Sequence, residues 1–213
     1  MKAATTGRSP CSDGRGEVAP HCAAVTVTPV FVADGFLAED ECLACVWAMD
    51  AGIREEAEVL GTEAAPEADV RRAQDIEVNA AVLALVEERL DRYRERVARH
   101  FGVSLTAREG PGFVRYTEGG FYQPHIDWAD SPAWPDAARR QVAAIVFLGS
   151  SMAVDEGGCF EGGSLLVYPQ GLESPPVEVV PRRGMLVAFP AVMLHEVTVV
   201  RRGLRDAIVD WYY

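Results

Sequence analysis

The spacing of apolar residues changes near the middle of the chain. In the first half it is mostly helical, and in the second half it alternates as in strands. Apolar residues in 77–101 recur at helical intervals with charged residues opposite them, which predicts an amphipathic helix. A second helix is predicted over 38–51, because acidic residues fill its first turn and a glycine follows its end. The β-branched alternation of 25–37 predicts a strand, whereas the acidic segment 54–69, interrupted by glycine and proline, predicts a loop.

Short alternating apolar runs fill the second half, separated by glycine, proline and aspartate. Polar segments at 128–140 and 150–163 predict loops beside these runs. This series of short alternating runs separated by turn residues is typical of an antiparallel sandwich or barrel. We therefore predict an α+β fold, with N-terminal helices packed on one outer face of a β core. The predicted strands are 103–107, 111–117, 121–126, 141–149, 163–168, 176–180, 184–189, 193–200 and 204–212.

The length of 213 residues fits one domain. Residues 1–24 are polar and lack the apolar centre of a signal peptide, so we expect a disordered lead-in. The predicted domain is 25–213, with helical support in 38–101 and the β core in 103–213. No apolar run reaches the ~18 residues of a membrane span, and the expected location is cytoplasmic.

Charge and cysteine content narrow the possible partners. The net charge of −12 argues against nucleic acid, because proteins that bind it carry a basic footprint. Five irregularly spaced cysteines do not suggest a disulfide framework. Cys42 and Cys45 form a CxxC, which allows a redox or zinc role. Two small residues on a buried helical face are the favoured interpretation.

Candidate chemistry begins in 113-FVRYTEGGFYQPHIDWAD-130. His125 and Asp127 are two positions apart, so on an extended chain both side chains point to the same side and can share a divalent metal. An HxD pair also arises by chance, and a lone histidine in a strand is more often a core residue than a ligand.

The third ligand must come from one of the other histidines. His21 lies in the predicted lead-in and His100 near the end of a charged helix, whereas His195 lies in a strand-rich stretch and is the plausible choice. Two histidines and one carboxylate suit non-haem Fe(II), because they leave coordination positions open.

An arginine in the last predicted strand adds a second function to this cavity. Arg205 stands among apolar residues, where its charge is costly unless it meets an anion, and a carboxylate is its natural partner. The turn at 201-RRG-203 would return the chain beside His195. Tyr116 can add a hydroxyl donor, so a carboxylate pocket is predicted beside the metal triad.

The order RYTEGGFYQPHID, FEGGSLLVYP and PRRGMLVAFPAVMLHEVTVVRRGLR resembles the prolyl-4-hydroxylase-like branch of the 2-oxoglutarate and Fe(II) dependent dioxygenases. The resemblance covers 110–213 and, more weakly, 29–100. It implies a double-stranded β-helix, or jelly-roll, core with N-terminal helices on one face. It also implies Fe(II) on His125, Asp127 and His195, and 2-oxoglutarate on Arg205 and Tyr116.

The activity that the resemblance implies is hydroxylation of a substrate C–H group. Oxygen and 2-oxoglutarate would be converted to succinate and CO₂ in the same reaction. Because related halogenases lack the carboxylate at the position of Asp127, hydroxylation is expected rather than halogenation. An ascorbate requirement and the oligomeric state stay open.

The sequence indicates the residues that contact a substrate less specifically than it indicates the metal and 2-oxoglutarate ligands. Tyr122 and Trp128 flank the triad and are candidates for the substrate entrance, although core packing explains them equally well. Arg139 and Arg140 could hold an acidic substrate group or lie on the surface. The substrate is either a small molecule such as a free amino acid, or a prolyl or other residue of a peptide. The chain end directly after the last predicted strand favours a small molecule or short peptide.

Two other functions fit parts of the pattern. One is a non-catalytic jelly roll that senses a metal or 2-oxoglutarate, but the presence of all three ligands and of Arg205 disfavours it. The other is a cupin-type metalloenzyme without 2-oxoglutarate. Such sites usually use an HxH cluster with a glutamate, which this chain lacks, and they need no buried arginine at position 205.

Overall fold

Most secondary structure of the described chain is β-strand, supported by two long helices. A computed structural model describes residues 28–57, 67–151 and 159–213. The helices are α1 (Glu39–Ala51), α2 (Glu67–Val70) and α3 (Ala80–Phe101), with a 3₁₀ turn at Ala137–Arg139. The strands are β1 (Phe31–Ala33), β2 (Ile53–Glu56), β3 (Arg71–Arg72), β4 (Gln74–Glu77), β5 (Gly112–Tyr116), β6 (Phe121–His125), β7 (Val142–Phe147), β8 (Ser150–Ser151), β9 (Cys159–Gly162), β10 (Leu165–Tyr168), β11 (Val177–Val179), β12 (Leu186–Pro190), β13 (Leu194–Val197), β14 (Val200–Arg202) and β15 (Arg205–Tyr212).

Two antiparallel sheets form the core. The larger has the strand order β1-β12-β7-β15-β5-β4-β2, and the second has the order β11-β10-β13-β6-β3. A small third sheet, β14-β9-β8, contains the parallel pair β8 and β9. The inner faces of the two main sheets share one apolar cluster, so the architecture is the predicted jelly-roll sandwich.

Strand β7 separates the sandwich interior from the helical layer. All six of its residues are buried, because it is covered on both faces. Ala143, Ile145 and Phe147 pack inside the sandwich. The alternate residues Val142 and Ala144 pack in the cluster that contains the buried faces of α1 and α3. The helices therefore lie on one outer face of the core, as predicted.

Helix α3 has sequence signals at both ends. The Asn79 side chain accepts hydrogen bonds from the amides of Ala81 and Val82, both at 3.1 Å. Gly102 ends the helix in the left-handed conformation, at φ 66°. In the described part of the chain, no helix has the length and apolar character of a membrane span.

The CxxC cysteines belong to the packing of α1. Cys42 and Cys45 are fully buried, and both are free thiols. Burial raises the pKa of Cys42 to about 11 and that of Cys45 to about 12, so both stay protonated at neutral pH. These features favour the packing interpretation over a redox or zinc role.

Several predicted boundaries are wrong in the helical half. The predicted loop 54–69 contains most of β2, whose exposed residues give no apolar alternation although its backbone pairs with β4. The predicted helix 77–101 begins at Ala80, because Glu77 belongs to β4 and Asn79 caps the helix. Of the predicted strand 25–37, only the three residues of β1 form a strand within the described range.

The β half also differs from the prediction in places. The predicted strand 103–107 is wrong: the amides of Thr106 and Ala107 both bond to one carbonyl, that of Tyr213, so no ladder forms. The predicted loop 150–163 contains β8 and β9, and the predicted strand 193–200 divides into β13 and the start of β14.

Parts of four predicted segments lie outside the described residues. These are the lead-in 1–24 with His21, the first residues of strand 25–37, and the centres of the loops 54–69 and 150–163.

A buried ion pair ties strand β5 to β15 on the helical face. Arg115 donates two hydrogen bonds to Asp206 at 2.7 and 2.6 Å, and its side chain is 3% exposed. Its third nitrogen bonds to Asp50 near the end of α1, at 2.7 Å. The pair therefore joins two strands and a helix at one point, and these bonds raise the pKa of Arg115 above its ordinary value.

We expect Asp206→Ala to lower the free energy of unfolding by about 3–5 kcal/mol, because it leaves a buried guanidinium without its main partner. Urea denaturation measures this loss. The control is Asp34→Ala, which removes the exposed pair with Arg182 and should cost less than about 1 kcal/mol. Equal losses in the two variants would contradict the structural importance of the buried pair.

Candidate metal centre and its cavity

Strand pairing brings the two predicted histidine ligands together. His125 ends β6 and His195 lies in β13, and the two are direct partners in the antiparallel register. Their ring centroids are 4.1 Å apart. The chain leaves β6 at Ile126, and the amide of Asp127 bonds to the carbonyl of Ala191 at 2.9 Å. This bond holds the carboxylate beside the histidine pair.

The three side chains converge on one point. Asp127 Oδ1 lies 3.6 Å from His125 Nε2, and Asp127 Oδ2 lies 3.6 Å from His195 Nε2. One ligand atom from each residue lies within 4.8 Å of the other two. Among the described residues, this is the one cluster of three potential ligands with such spacing. Its composition of two imidazoles and one carboxylate fits Fe(II).

Backbone carbonyls fix which ring nitrogens face the centre. His125 Nδ1 lies 2.8 Å from the carbonyl of Gln123, and His195 Nδ1 lies 2.9 Å from that of Met193. A carbonyl can only accept, so each Nδ1 must carry a proton. In the neutral rings each Nε2 then presents a lone pair, which is the usual arrangement of metal-ligating histidines.

The electrostatics of the triad suit a cation. Burial lowers the pKa of His195 to about 4, so this ring is neutral at pH 7. Burial alone would raise the pKa of Asp127, but His195, His125 and the Trp211 hydrogen bond outweigh it and hold the pKa well below its usual range. A neutral imidazole beside an anionic carboxylate is the protonation state that binds a metal ion.

The triad opens into a cavity of about 410 Å³. Its walls carry aromatic rings from Tyr116, Tyr122 and Trp211, together with the guanidinium group of Arg205. The cavity therefore joins the triad to the predicted carboxylate pocket.

Arg205 has unused hydrogen-bonding capacity inside this cavity. The residue is 1% exposed, and its Nε donates to the carbonyl of Gly163 at 2.8 Å. Its Nη2 has no hydrogen-bond partner among the described residues. Its guanidinium carbon lies 4.9 Å from the ring centre of Tyr116 and 5.2 Å from that of Phe147. A buried cation without a counter-ion is costly, so the site fits an anionic ligand.

Gly163 positions this arginine and was not predicted to do so. Its φ is 61°, and a Cβ atom there would lie 2.8 Å from Arg205 Cδ. Only glycine allows both the conformation and the close approach. The GG-S-L segment was noted in the sequence, but only the structure shows that its second glycine contacts Arg205.

The predicted substrate residues fall in different places. Tyr122 stacks on His125 with ring centroids 3.4 Å apart, and it lines the cavity. Trp128 donates its indole N–H to the carbonyl of Ala138 and is not part of the cavity wall. Arg139 also lies outside the wall, because its guanidinium stacks on the ring of Tyr213 at 3.8 Å.

Arg140, rather than Arg139, lines the cavity. Two of its nitrogens bond to Glu109, each at 2.6 Å, and a third bonds to the carbonyl of Asp127 at 3.0 Å. Its guanidinium carbon also lies 3.6 Å from the ring centre of Trp211. Sequence alone could not separate the two arginines, since the 3₁₀ turn that ends at Arg139 sets their directions.

Trp211 is a further cavity residue that the sequence analysis missed. Its indole Nε1 donates to Asp127 Oδ2 at 2.9 Å. The position is six residues after Arg205 in the same strand, so the alternation of β15 turns both side chains to the cavity. That spacing was available in the sequence, but the partner of the indole was not.

Comparison with known sequences gives a family for the β core. Residues 111–213 match the model of the 2OG-Fe(II) oxygenase superfamily. A PKHD-type hydroxylase of Nitrobacter winogradskyi is 36% identical over 103 residues, covering 47% of this chain and 42% of the relative. One of Parvibaculum lavamentivorans is 33% identical over 106 residues, covering 47% and 42%. The match spans less than half the length of these relatives.

Comparison with solved structures gives the same fold. A Pseudomonas putida prolyl-4-hydroxylase aligns with a TM-score of 0.65 at 21% identity, covering 86% of this chain and 91% of that one. A Trichoplax adhaerens prolyl hydroxylase, solved with a hypoxia inducible factor peptide fragment, gives 0.67 at 20% identity, covering 87% and 83%. Residues 111–213 of this chain are therefore similar to the 2OG-Fe(II) oxygenase superfamily, and the fold of the chain resembles that of solved prolyl hydroxylases.

Proposed function

We propose that this chain is an Fe(II)- and 2-oxoglutarate-dependent dioxygenase that hydroxylates a C–H group of an amino acid, a small metabolite or a peptide residue. Succinate and CO₂ are the co-products. The observation that carries the proposal is the buried Arg205, whose Nη2 lacks a partner among the described residues and whose cavity also contains the triad. A site that binds only a metal, or a cupin-type enzyme, gives no reason for that arginine; a non-catalytic 2-oxoglutarate sensor would use it too, but would form no succinate.

His125, Asp127 and His195 would hold the iron from one side and leave coordination positions open. When bound, the iron supplies the coupling between dioxygen reduction and the oxidation of 2-oxoglutarate and substrate. The chain's own part is to keep the Nε2 atoms of both histidines unprotonated, through the carbonyls of Gln123 and Met193. The Asp127 carboxylate supplies the negative charge.

Arg205 would bind the carboxylate of 2-oxoglutarate that is remote from the metal. Its Nη2, which has no partner among the described residues, offers a charge-assisted hydrogen bond from a buried side chain. The Tyr116 ring lies against the guanidinium, and its hydroxyl also interacts with Arg71. The 2-oxo acid end of the same molecule would then reach the triad.

The substrate would approach along the aromatic side of the cavity. Tyr122 lies flat against the His125 ring, and Trp134 and Trp211 supply further wall. Tyr122 is the proposed substrate contact, because Trp128 and Arg139 lie outside the cavity wall. Because the similar structures are named prolyl hydroxylases, short proline-containing peptides are the first substrates to test, and free amino acids follow as the small-molecule alternative.

We expect His195→Ala to abolish metal binding at micromolar Fe(II) or Mn(II), because it removes one of three ligands. Loss of even an outer-shell partner costs about 10–100-fold in metal affinity. Anaerobic calorimetry measures the dissociation constant, and circular dichroism checks folding. His100→Ala, at the end of α3, is the matched control and should bind like the unsubstituted chain. Normal metal binding by folded His195→Ala would refute the triad.

We expect Arg205→Ala to weaken 2-oxoglutarate binding by about 10- to 150-fold, because a hydrogen bond to a charged group contributes about 1.5–3 kcal/mol. Titration of the Mn(II)-loaded protein measures this change, and the affinity for Mn(II) itself should stay the same. Arg201→Ala removes an exposed arginine of β14 and serves as the control. If both variants bind 2-oxoglutarate like the unsubstituted chain, its carboxylate lies elsewhere.

A further inference from the structure

The two oxygens of Asp127 have different surroundings. Oδ1 faces His125 Nε2 at 3.6 Å, whereas Oδ2 faces His195 Nε2 at the same distance and also accepts the indole N–H of Trp211 at 2.9 Å. One of the two potential metal-binding atoms is therefore already engaged by a neutral donor from β15.

The indole itself is held in place by a closed set of contacts. Arg140 lies over the Trp211 ring at 3.6 Å, and its guanidinium is fixed by two hydrogen bonds to Glu109 and one to the Asp127 carbonyl. The amide of Glu109 in turn bonds to the carbonyl of Trp211 at 2.9 Å. We call Glu109, Arg140 and Trp211 the indole clamp, since together they fix the N–H direction toward Asp127.

The number of oxygens that Asp127 gives to a metal decides what else can bind. A six-coordinate ion held by two histidines and one carboxylate oxygen keeps about three positions. A 2-oxo acid that chelates through two atoms leaves about one position for dioxygen. If both carboxylate oxygens bound the metal, the same chelation would leave none, and dioxygen would be excluded.

We infer that the indole clamp restricts Asp127 to one metal-binding oxygen, Oδ1, and that Trp211 is the positioning residue of this device. The inference rests on the proposed function, because the triad must hold a metal. It adds a role for three residues that do not themselves ligate: the Trp211 N–H occupies Oδ2, Arg140 fixes the indole, and Glu109 fixes Arg140.

A packing role is the other explanation of Trp211, because its ring packs against the core cluster of the sandwich. Phenylalanine would satisfy packing and would still offer Arg140 an aromatic face, but it has no N–H. The substitution Trp211→Phe therefore separates the two explanations. Hydration of the metal is a suitable readout, since packing alone does not change the number of water ligands.

The test uses Mn(II) in place of iron and needs neither dioxygen nor turnover. Water-proton relaxation measures the number of exchangeable water ligands on the bound Mn(II). For the unsubstituted chain we expect about three waters, falling to about one when 2-oxoglutarate saturates the site. For Trp211→Phe we expect about two waters, falling to none, because Oδ2 becomes a second ligand.

The control is Trp47→Phe, which alters an indole on the exposed face of α1 and should leave both hydration values unchanged. If the number of water ligands on Mn(II) is unchanged in Trp211→Phe, with Mn(II) and 2-oxoglutarate both bound, the inferred role of the indole clamp is wrong. The proposed function would still stand. If the unsubstituted chain binds no Mn(II), or if 2-oxoglutarate displaces no water, the proposed function and the clamp both fail.

A second measurement covers the case in which Trp211→Phe does not fold. Proton NMR of the ¹⁵N-labelled unsubstituted chain, loaded with Zn(II) and 2-oxoglutarate, reports hydrogen exchange at the Trp211 indole. We expect the N–H to exchange as slowly with Zn(II) as without it, because Oδ2 stays its partner. An exchange rate that rises by about tenfold or more on Zn(II) binding would mean that the metal takes Oδ2, and would overturn the inference.

Discussion

The antiparallel pairing of β6 with β13 is the constraint on which the candidate site depends. It places His125 opposite His195, and the two carbonyls that orient their rings come from residues two positions earlier, Gln123 and Met193. A one-residue slip of this register would turn one ring out of the cavity. The candidate metal centre is therefore a property of the sandwich, and the helical layer packs on the opposite face of the larger sheet.

The buried arginines of this molecule differ in whether a carboxylate pairs with them. Arg115 meets Asp206, Arg108 meets Asp210, and Arg140 meets Glu109, so each of these cations has a carboxylate. Arg205 instead meets a carbonyl and two aromatic faces. An uncompensated buried charge costs several kcal/mol, and a bound dicarboxylate would offset that cost. Ligand binding to the folded state would then stabilise the whole chain.

Short-range rules predicted that His125 and Asp127 lie together and that Arg205 is buried, whereas His195 was reached by elimination among the histidines and through the family resemblance. Alternation places His125 and Asp127 on one side, and an arginine among apolar residues of a strand must be buried. Strand β2 escaped prediction because all its side chains are exposed, so only its pairing with β4 defines it.

The indole clamp escaped prediction for another reason. Glu109, Arg140 and Trp211 are far apart in the chain, and only the closed sandwich brings them to Asp127. Arg139, which the sequence offered as a substrate contact beside Arg140, stacks on Tyr213 outside the cavity. Such tertiary contacts have no periodicity that a sequence pattern could reveal.

The proposed function requires that one cavity hold Fe(II) and 2-oxoglutarate together. The most direct test is an anaerobic titration of the Fe(II)-loaded chain with 2-oxoglutarate, followed by visible absorption, because an iron–2-oxo acid chelate is coloured whereas either component alone is not. We expect a band that saturates at one 2-oxoglutarate per chain and then bleaches in air as succinate appears. A colourless solution in which iron and 2-oxoglutarate are both bound would show that they occupy separate sites, and the proposed function would be wrong.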